Sequence, residues 1–175
     1  MRQLRGRYGV VLCWLLWPLA GLAQVPLRDA SVDTLVEQLA PPAAPTATRG
    51  LRNLVPQAQT PAAPRQVDLV VSFDFDSAEL SDESLQLIDR LSQALMSERL
   101  SGSRFRVEGH TDAKGAAAYN QALSQRRAQA VVARLASNGV VAQRLQAVGM
   151  GFDMPLFKDK PFAAENRRVR IVAME

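Results

Sequence analysis

Hydrophobic positions after residue 66 follow two different periods, and the changes between them divide this part of the chain into six segments. Four segments alternate apolar and polar residues, which is typical of half-buried strands. These strands are predicted at residues 67–75, 105–109, 145–148 and 169–173. The two longer segments between them carry apolar residues at helical spacing, so they are predicted to be helices.

The two predicted helices have recognisable ends. Ser81 is a favourable N-cap for the first, and Asp82 and Glu83 then place negative charge at the positive end of the helix dipole. The second helix opens at Gly115 and ends at Asn138, because Asn-Gly is a common C-terminal cap. The first apolar stripe consists of Leu85, Ile88, Leu91 and Leu95. The second consists of Leu123, Val131 and Leu135, flanked by Ala128 and Val132.

The order of these elements is β-α-β-α-β-β. A chain with this order is expected to form a small α/β sandwich, with the helices packed on one face of a mixed sheet. We assign this domain to residues 66–175. It holds 14 basic and 14 acidic residues, whereas the net charge of +4 for the whole chain comes from the first 65 residues. A neutral domain gives no basic surface for nucleic acid, so we expect no nucleic-acid partner.

The first 23 residues are predicted to be a signal peptide. Arg2, Arg5 and Arg7 precede an apolar run over residues 10–22, and small residues precede Gln24. The run is shorter than the roughly 20 residues of a permanent membrane span, so the mature protein is expected to have none. Retention of this segment as a membrane anchor is the alternative. The single cysteine, Cys13, lies inside the run and leaves no cysteine after cleavage.

Residues 24–65 are predicted to hold a short amphipathic helix and then a linker. Residues 31–40 carry apolar side chains at helical spacing after Ser31, a plausible N-cap. Because ten residues are too few for a stable isolated helix, this segment is expected to dock on a surface or to stay unfolded, and an envelope protein is a candidate partner. Six prolines and six alanines occupy residues 41–64, which favours an extended spacer.

No pattern typical of an enzyme is present. The chain has one histidine, so a histidine-rich zinc site is excluded, and it lacks Gly-x-Ser-x-Gly and a mature cysteine nucleophile. Gly149-Met-Gly lacks the rest of a nucleotide-binding fingerprint. We therefore expect a binding protein without cofactor, metal or catalytic activity.

Three motifs in order point to a family. They are G-H-T-D at residues 109–112, N-x-x-L-S-x-x-R-A at residues 120–128 and N-R-R-V at residues 166–169. In this combination the domain resembles the C-terminal peptidoglycan-binding domain of the OmpA family, which also occurs in peptidoglycan-associated lipoproteins and in the flagellar stator protein MotB. The resemblance covers about 110 residues, from 66 to 175.

The resemblance implies a ligand, the diaminopimelate side chain of the peptidoglycan stem peptide. Asp112 matches the aspartate that pairs with the ligand's ammonium, and Arg127 matches the arginine that holds its carboxylate. The residue types suit the task, since a carboxylate only accepts hydrogen bonds and a guanidinium donates through a planar fork. Arg126 points about 100° away on the helix and is expected to be a surface charge.

Other residues are implied more weakly. By resemblance, Phe75 and Asp76 line the pocket, and Thr111 and Ala113 supply main-chain groups or walls. Asn120 lies two helical turns before Arg127 and shares its helix face, so it is a further candidate ligand-binding residue. The run from 166 to 168 is expected to order the start of the last strand. The aspartate of G-H-T-D has a purely structural alternative, because Thr-Asp before glycine is common turn chemistry.

These inferences combine into one leading hypothesis. The protein is expected in the periplasm of a Gram-negative bacterium, at or near the outer membrane, bound non-covalently to peptidoglycan. A membrane-tethered component of an envelope assembly and a protein-interaction scaffold are the alternatives.

Overall fold

The computed structural model describes residues 26–42, 65–73 and 77–174. Its centre is a four-stranded sheet in the order β1-β4-β2-β3, in which β2 and β3 are parallel and the other neighbours are antiparallel. The strands are β1 (Gln66–Leu69), β2 (Arg104–Gly109), β3 (Leu145–Gly149) and β4 (Val169–Met174). The helices are α1 (Val32–Leu39), α2 (Asp82–Met96) and α3 (Ala117–Ser137).

The predicted order of elements after residue 66 is confirmed, and so are the start of α2 and the end of α3, whereas α3 begins at Ala117, two residues after the predicted Gly115. The Ser81 side chain accepts a hydrogen bond from the backbone N–H of Ser84, as an N-cap should. At the other end of α3, Asn138 is the C-cap and Gly139 has a φ of +99°, a conformation that glycine adopts without a steric penalty. Local sequence signals therefore set these boundaries.

The first strand is shorter than predicted. Pairing in β1 stops at Leu69, and Phe73 makes only an isolated bridge to Leu80. The reason lies in Ser72, whose backbone N–H donates to the Ser84 hydroxyl at 2.8 Å and whose carbonyl accepts from the same hydroxyl at 3.0 Å. Because these groups bind the start of α2, they are not available to a neighbouring strand.

The core lies between the sheet and the helices. Alternate strand residues, among them Val67, Phe105, Val107 and Ile171, are buried on one face of the sheet. They belong to the same hydrophobic cluster as buried residues of α2 and α3, such as Ile88, Leu91, Val131 and Leu135. The predicted stripe of α2 needs one correction, because Leu87 is buried and Leu85 is only partly so.

Two glycines bring α3 unusually close to the sheet. A Cβ at Gly109 would lie 2.2 Å from the carbonyl oxygen of Ser124, and one at Gly149 would lie 2.6 Å from the backbone nitrogen of Gln125. Any other residue would force the helix away from β2 and β3. The two glycines therefore fix the height of the middle of α3 above the ends of these strands.

The N-terminal segment is part of the folded domain. Leu35, Val36 and Leu39 of α1 are buried in the common core, and the Ser31 N-cap is confirmed. Leu27 pairs with β1, donating to the Asp68 carbonyl at 2.8 Å and accepting from the Val70 N–H at 2.9 Å. The apolar face that suggested an external partner for residues 31–40 is thus occupied within the chain.

The described ends of the proline-rich segment lie close together. The side chain of Arg65 donates to the carbonyl of Leu39 at 3.3 Å. Residues 43–64 and the predicted signal peptide lie outside the described residues. Among the helices that the structure describes, none is long and apolar enough to cross a membrane.

Candidate ligand-binding site at one edge of the sheet

The strand directions bring distant parts of the chain to a single edge of the sheet. β1 and β2 both run antiparallel to β4, so their C-terminal ends meet the N-terminal end of β4 at this edge. The C-terminal end of β3 joins them because β3 is parallel to β2. The segment after β2 carries the polar residues of G-H-T-D, and the segment before β4 carries those of N-R-R-V.

Asp112 uses its two carboxylate oxygens for different partners. Oδ1 accepts from the backbone N–H of Lys114 at 3.0 Å, and Oδ2 lies 2.6 Å from Nη1 of Arg167. The first contact is the turn chemistry anticipated as the structural alternative, while the second is an ion pair. The Asp112 side chain is 12% exposed, so it is largely buried yet reaches the surface.

The neighbours of Asp112 anchor its loop through the main chain. The N–H of Thr111 donates to the Gly151 carbonyl at 2.8 Å, and that of Ala113 donates to the Pro161 carbonyl at 3.0 Å. These bonds tie the loop after β2 to the segments that follow β3. The Thr111 hydroxyl is buried and has no hydrogen-bond partner among the described residues. Thr111 therefore orders the loop through its main chain alone.

Asn120 also orders this loop. Its side chain is buried, and its amide donates to the carbonyls of Lys114 at 2.9 Å and of Ala116 at 3.3 Å. Both donors of the amide are directed at the turn that follows Asp112. The structure therefore gives Asn120 a contact with the site's loop, not an open face toward a ligand.

Arg127 extends from the middle of α3 toward the segment after β1. Its Nε donates to the carbonyl of Ser77 at 3.2 Å, and its guanidinium lies 4.7 Å from the centre of the Phe73 ring. A guanidinium stacked over an aromatic face is restricted in orientation and retains its charge. Arg126, by contrast, is exposed, as predicted.

The sequence did not predict the role of Arg167. It was assigned to the ordering of β4, but it forms the ion pair with Asp112 and lines the same cleft as Arg127. The cleft has a volume of about 290 Å³. Its lining comprises Arg28, Val70, Val71, Ser72, Phe73, Arg127, Ala164, Glu165 and Arg167. Arg167 thus connects the two predicted ligand contacts, because it touches Asp112 and shares a wall with Arg127.

Asn166 and Arg168, the other two polar residues of N-R-R-V, order the start of β4 as predicted. Asn166 is fully buried, and its side chain holds the preceding loop by accepting from the Phe157 N–H at 3.0 Å and donating to the Lys160 carbonyl at 2.9 Å. Arg168 is buried and donates to Asp68 at 2.8 Å. Phe75 and Asp76 lie outside the described residues, so their place in the pocket stays a prediction.

A buried charged cluster lies behind the site. Asp68 on β1 accepts from both Arg168 and Arg170, each at 2.8 Å. Burial raises the pKa of Asp68, but the two guanidinium groups outweigh this effect, and its pKa lies below the ordinary value. The ion pairs cross from β1 to β4, so they fix the two strands at the edge where the cleft opens.

His110 is a second buried titratable group next to the site. Its Nε2 lies 3.5 Å from Oε2 of Glu108, and neither ring nitrogen makes a well-formed hydrogen bond with the described residues. Burial lowers the pKa of His110. Within the part of the chain that the structure describes, no three histidine, cysteine, aspartate or glutamate side chains group as metal ligands would.

A comparison with protein families agrees with this geometry. The model of the OmpA family matches residues 72–169, which is more than half of the chain and includes every motif quoted above. The chain belongs to the OmpA family.

Several OmpA-family relatives are similar over the same region. A peptidoglycan-associated lipoprotein of Pseudomonas aeruginosa is 38% identical over 101 residues, covering 57% of this chain and 58% of that protein. Outer membrane porin F of Pseudomonas fluorescens is 39% identical over 106 residues, covering 59% of this chain and 32% of that protein. The chain therefore spans less than two thirds of the length of these relatives.

Solved structures of the OmpA type confirm the fold. The peptidoglycan-associated lipoprotein of Burkholderia pseudomallei is 34% identical, with a TM-score of 0.52 over 59% of this chain and 88% of that chain. The cell wall anchor of the T6SS from Pseudomonas aeruginosa is 30% identical, with a TM-score of 0.52 over 62% of this chain and 80% of that one. The mixed sheet with helices is thus the expected arrangement for this family.

Proposed function

We propose that this protein anchors itself to the cell wall by binding peptidoglycan non-covalently, and that it catalyses no reaction. Membership of the OmpA family supports the proposal, together with relatives named as peptidoglycan-associated lipoproteins and as a cell wall anchor. The observation that carries it is local. Asp112 and Arg127, the two residues implied by the resemblance, come to the same edge of the sheet and are connected by Arg167.

The proposed ligand is the amino acid head of the diaminopimelate side chain. Its ammonium would bind the carboxylate of Asp112, which is held in place by Lys114 and Arg167. Its carboxylate would bind the guanidinium of Arg127, whose orientation is restricted by Phe73. Both contacts join a charged donor to a charged acceptor, and such hydrogen bonds are roughly twice as strong as neutral ones.

The relatives' names also support a location. Outer membrane proteins and peptidoglycan-associated lipoproteins belong to the Gram-negative envelope. A domain that binds the cell wall must lie on the same side of the inner membrane as that wall. We therefore infer a periplasmic location near the outer membrane, reached through the predicted signal peptide.

Co-sedimentation with purified diaminopimelate-type sacculi tests the proposal. The wild type is expected to pellet with the sacculi, and Asp112→Asn and Arg127→Ala are expected to bind at least about tenfold more weakly, since each leaves a ligand charge unpaired. Arg126→Ala is the matched control, because it removes an exposed charge from the adjacent position of the same helix. Thermal unfolding of each variant checks that its fold is retained.

Lysine-type sacculi provide the second arm of the experiment. Lysine at the same stem position has the ammonium but lacks the carboxylate, so Arg127 would have no partner and binding should weaken. Equal binding of wild type to both kinds of sacculi would contradict the proposed role of Arg127. A wild-type protein that stays in the supernatant with both would refute peptidoglycan binding altogether.

A further inference from the structure

The cleft at the site receives one charged residue from outside the region that matches the family. Arg28 lies in the N-terminal segment, more than forty residues before the matched range of 72–169 begins. The motifs that revealed the family therefore carry no information about it. Its position follows from how the N-terminal segment packs on the domain.

The chain is held firmly on both sides of Arg28. Leu27 is bonded to β1 through its own N–H and carbonyl, at 2.8 and 2.9 Å. On the other side, Asp29 forms an ion pair with Arg90 of α2 at 2.6 Å, and Ala30 is buried. Because Leu27 is bonded to β1 and Ala30 is buried, the backbone between them is held in place, and the Arg28 side chain starts from a defined point on the cleft wall.

The guanidinium of Arg28 has no structural partner that would explain its position. It is exposed, and it forms no hydrogen bond or ion pair with the described residues. Glu165 is the one carboxylate on the same cleft lining, and it is not within ion-pairing distance. The cleft wall thus presents Arg28 in addition to Arg127 and Arg167, so the described lining carries more positive than negative charge.

We propose that Arg28 binds a second carboxylate of the peptidoglycan stem peptide, beyond the diaminopimelate head held by Asp112 and Arg127. This inference rests on the proposed function. The stem peptide offers two such groups, the α-carboxylate of its γ-linked glutamate and its C-terminal carboxylate. Arginine suits either one, because its planar fork matches a carboxylate. Arg28 thereby makes the N-terminal segment part of the binding site.

The experiment measures the affinity of the purified protein for a soluble diaminopimelate-type stem tetrapeptide by calorimetry. Arg28→Ala is expected to bind about threefold to tenfold more weakly than wild type, the range for a partly exposed charged contact. Arg28→Lys, which keeps the charge and loses the fork, should fall between them. Arg126→Ala removes an exposed charge away from the cleft and should bind as the wild type does.

Two modified peptides identify the carboxylate. One carries an amide at the glutamate α-carboxylate and the other an amide at the C-terminus. When the carboxylate bound by Arg28 is the one replaced by an amide, the difference in affinity between wild type and Arg28→Ala should vanish, as in a double-mutant cycle. A difference that persists with both amides, or no difference with the unmodified peptide, would overturn the role of Arg28 and leave the proposed function standing. Failure of wild type to bind any of the three would refute the proposed function and this inference with it.

Discussion

At the scale of single residues, the site is supported by buried charges that never reach the cleft. Asp68 accepts from Arg170 of β4 and from Arg168 directly before that strand, and its side chain is 1% exposed, as is that of Arg168. Such a cluster contributes little net stability when it is complete, because burying its charges is costly. Removal of one member of the cluster is strongly destabilising, because a remaining charge then has no partner in a place that water does not reach.

Replacement of Asp68 tests this asymmetry. Asp68→Asn keeps the shape of the side chain but leaves Arg168 buried without a counter-charge, so a loss of about 3–5 kcal/mol in the free energy of unfolding is expected. Asp29→Asn is the matched control, because Asp29 is 87% exposed in its ion pair with Arg90 and should change stability by less than about 1 kcal/mol. Urea denaturation of both variants provides the values, and equal losses would contradict a special role for burial.

The single histidine predicts a pH dependence. Burial lowers the pKa of His110, so the folded state keeps the ring neutral at a pH where the unfolded chain already takes up a proton. The contribution of the neutral His110 ring to the free energy of unfolding is complete above the unfolded pKa of about 6.5. It is lost as the pH falls from there toward the pKa of the folded state. Glu108 and Asp68 have lowered pKa values and titrate in a more acidic range.

The measurement is the free energy of unfolding at pH 7.0 and pH 5.5 for wild type and His110→Asn. Wild type should lose stability over this interval, and the variant should lose less of it because it has no titrating ring. The comparison uses the change between the two pH values, so any constant cost of the substitution cancels. The same change in both proteins would show that His110 does not titrate differently on folding.

At the scale of elements, the distance between α3 and the sheet determines where Arg127 lies. Gly109 permits the contact between the end of β2 and Ser124, which lies one turn before Arg127 on the helix. An alanine at this position would push the helix outward and move Arg127 relative to Asp112, which follows β2 directly. Packing at a glycine thereby controls the geometry of two charged residues that it does not touch.

Gly109→Ala is therefore expected to lower both stability and affinity. Overpacking of this kind costs about 1–3 kcal/mol, and the affinity for diaminopimelate-type sacculi should fall along with it. Gly102→Ala is the matched control, because a Cβ there would meet no atom within 4 Å. Urea denaturation and co-sedimentation measure the two effects. Unchanged binding in a destabilised Gly109→Ala variant would separate the position of α3 from the site.

The sequence predicted those features of the fold that depend on residues close together along the chain. Ser81, Asn138 and Gly139 mark helix ends by local chemistry, and the periods of two and 3.6 follow from local geometry, so the order of elements was correct. The ion pair between Asp112 and Arg167 joins residues 55 positions apart, and no local pattern encodes it. The surface on which α1 docks was not predicted for the same reason, because an amphipathic stripe does not specify the surface that covers it.

At the scale of the whole molecule, the proline-rich segment begins and ends beside the same surface. Leu39 and Arg65 are in contact across it, and Leu27 is bonded along β1 before the segment starts. The described ends that flank the predicted spacer of residues 41–64 therefore lie together, and the spacer itself stays a prediction.

Exchange of residues 43–64 for a ten-residue Gly/Ser linker tests this arrangement. Ten residues span up to roughly 33 Å, which is ample for two ends held near each other. Loop closure depends only weakly on length, so the free energy of unfolding should stay within about 1 kcal/mol of wild type, and sacculus binding should be unchanged. A variant with the same linker and Leu35→Ala is the control that must lose stability, by about 2–5 kcal/mol, because Leu35 is fully buried.

The docked N-terminal segment also limits the distance between the cleft and a membrane in which the predicted signal peptide is retained. The described chain starts at Pro26, and two residues lie between it and the predicted cleavage position after Ala23. Two or three residues reach about 10 Å at most, even when fully extended. If the predicted signal peptide is kept in a membrane, the cleft is confined to the layer of wall next to the bilayer, and cleavage after Ala23 would remove this limit.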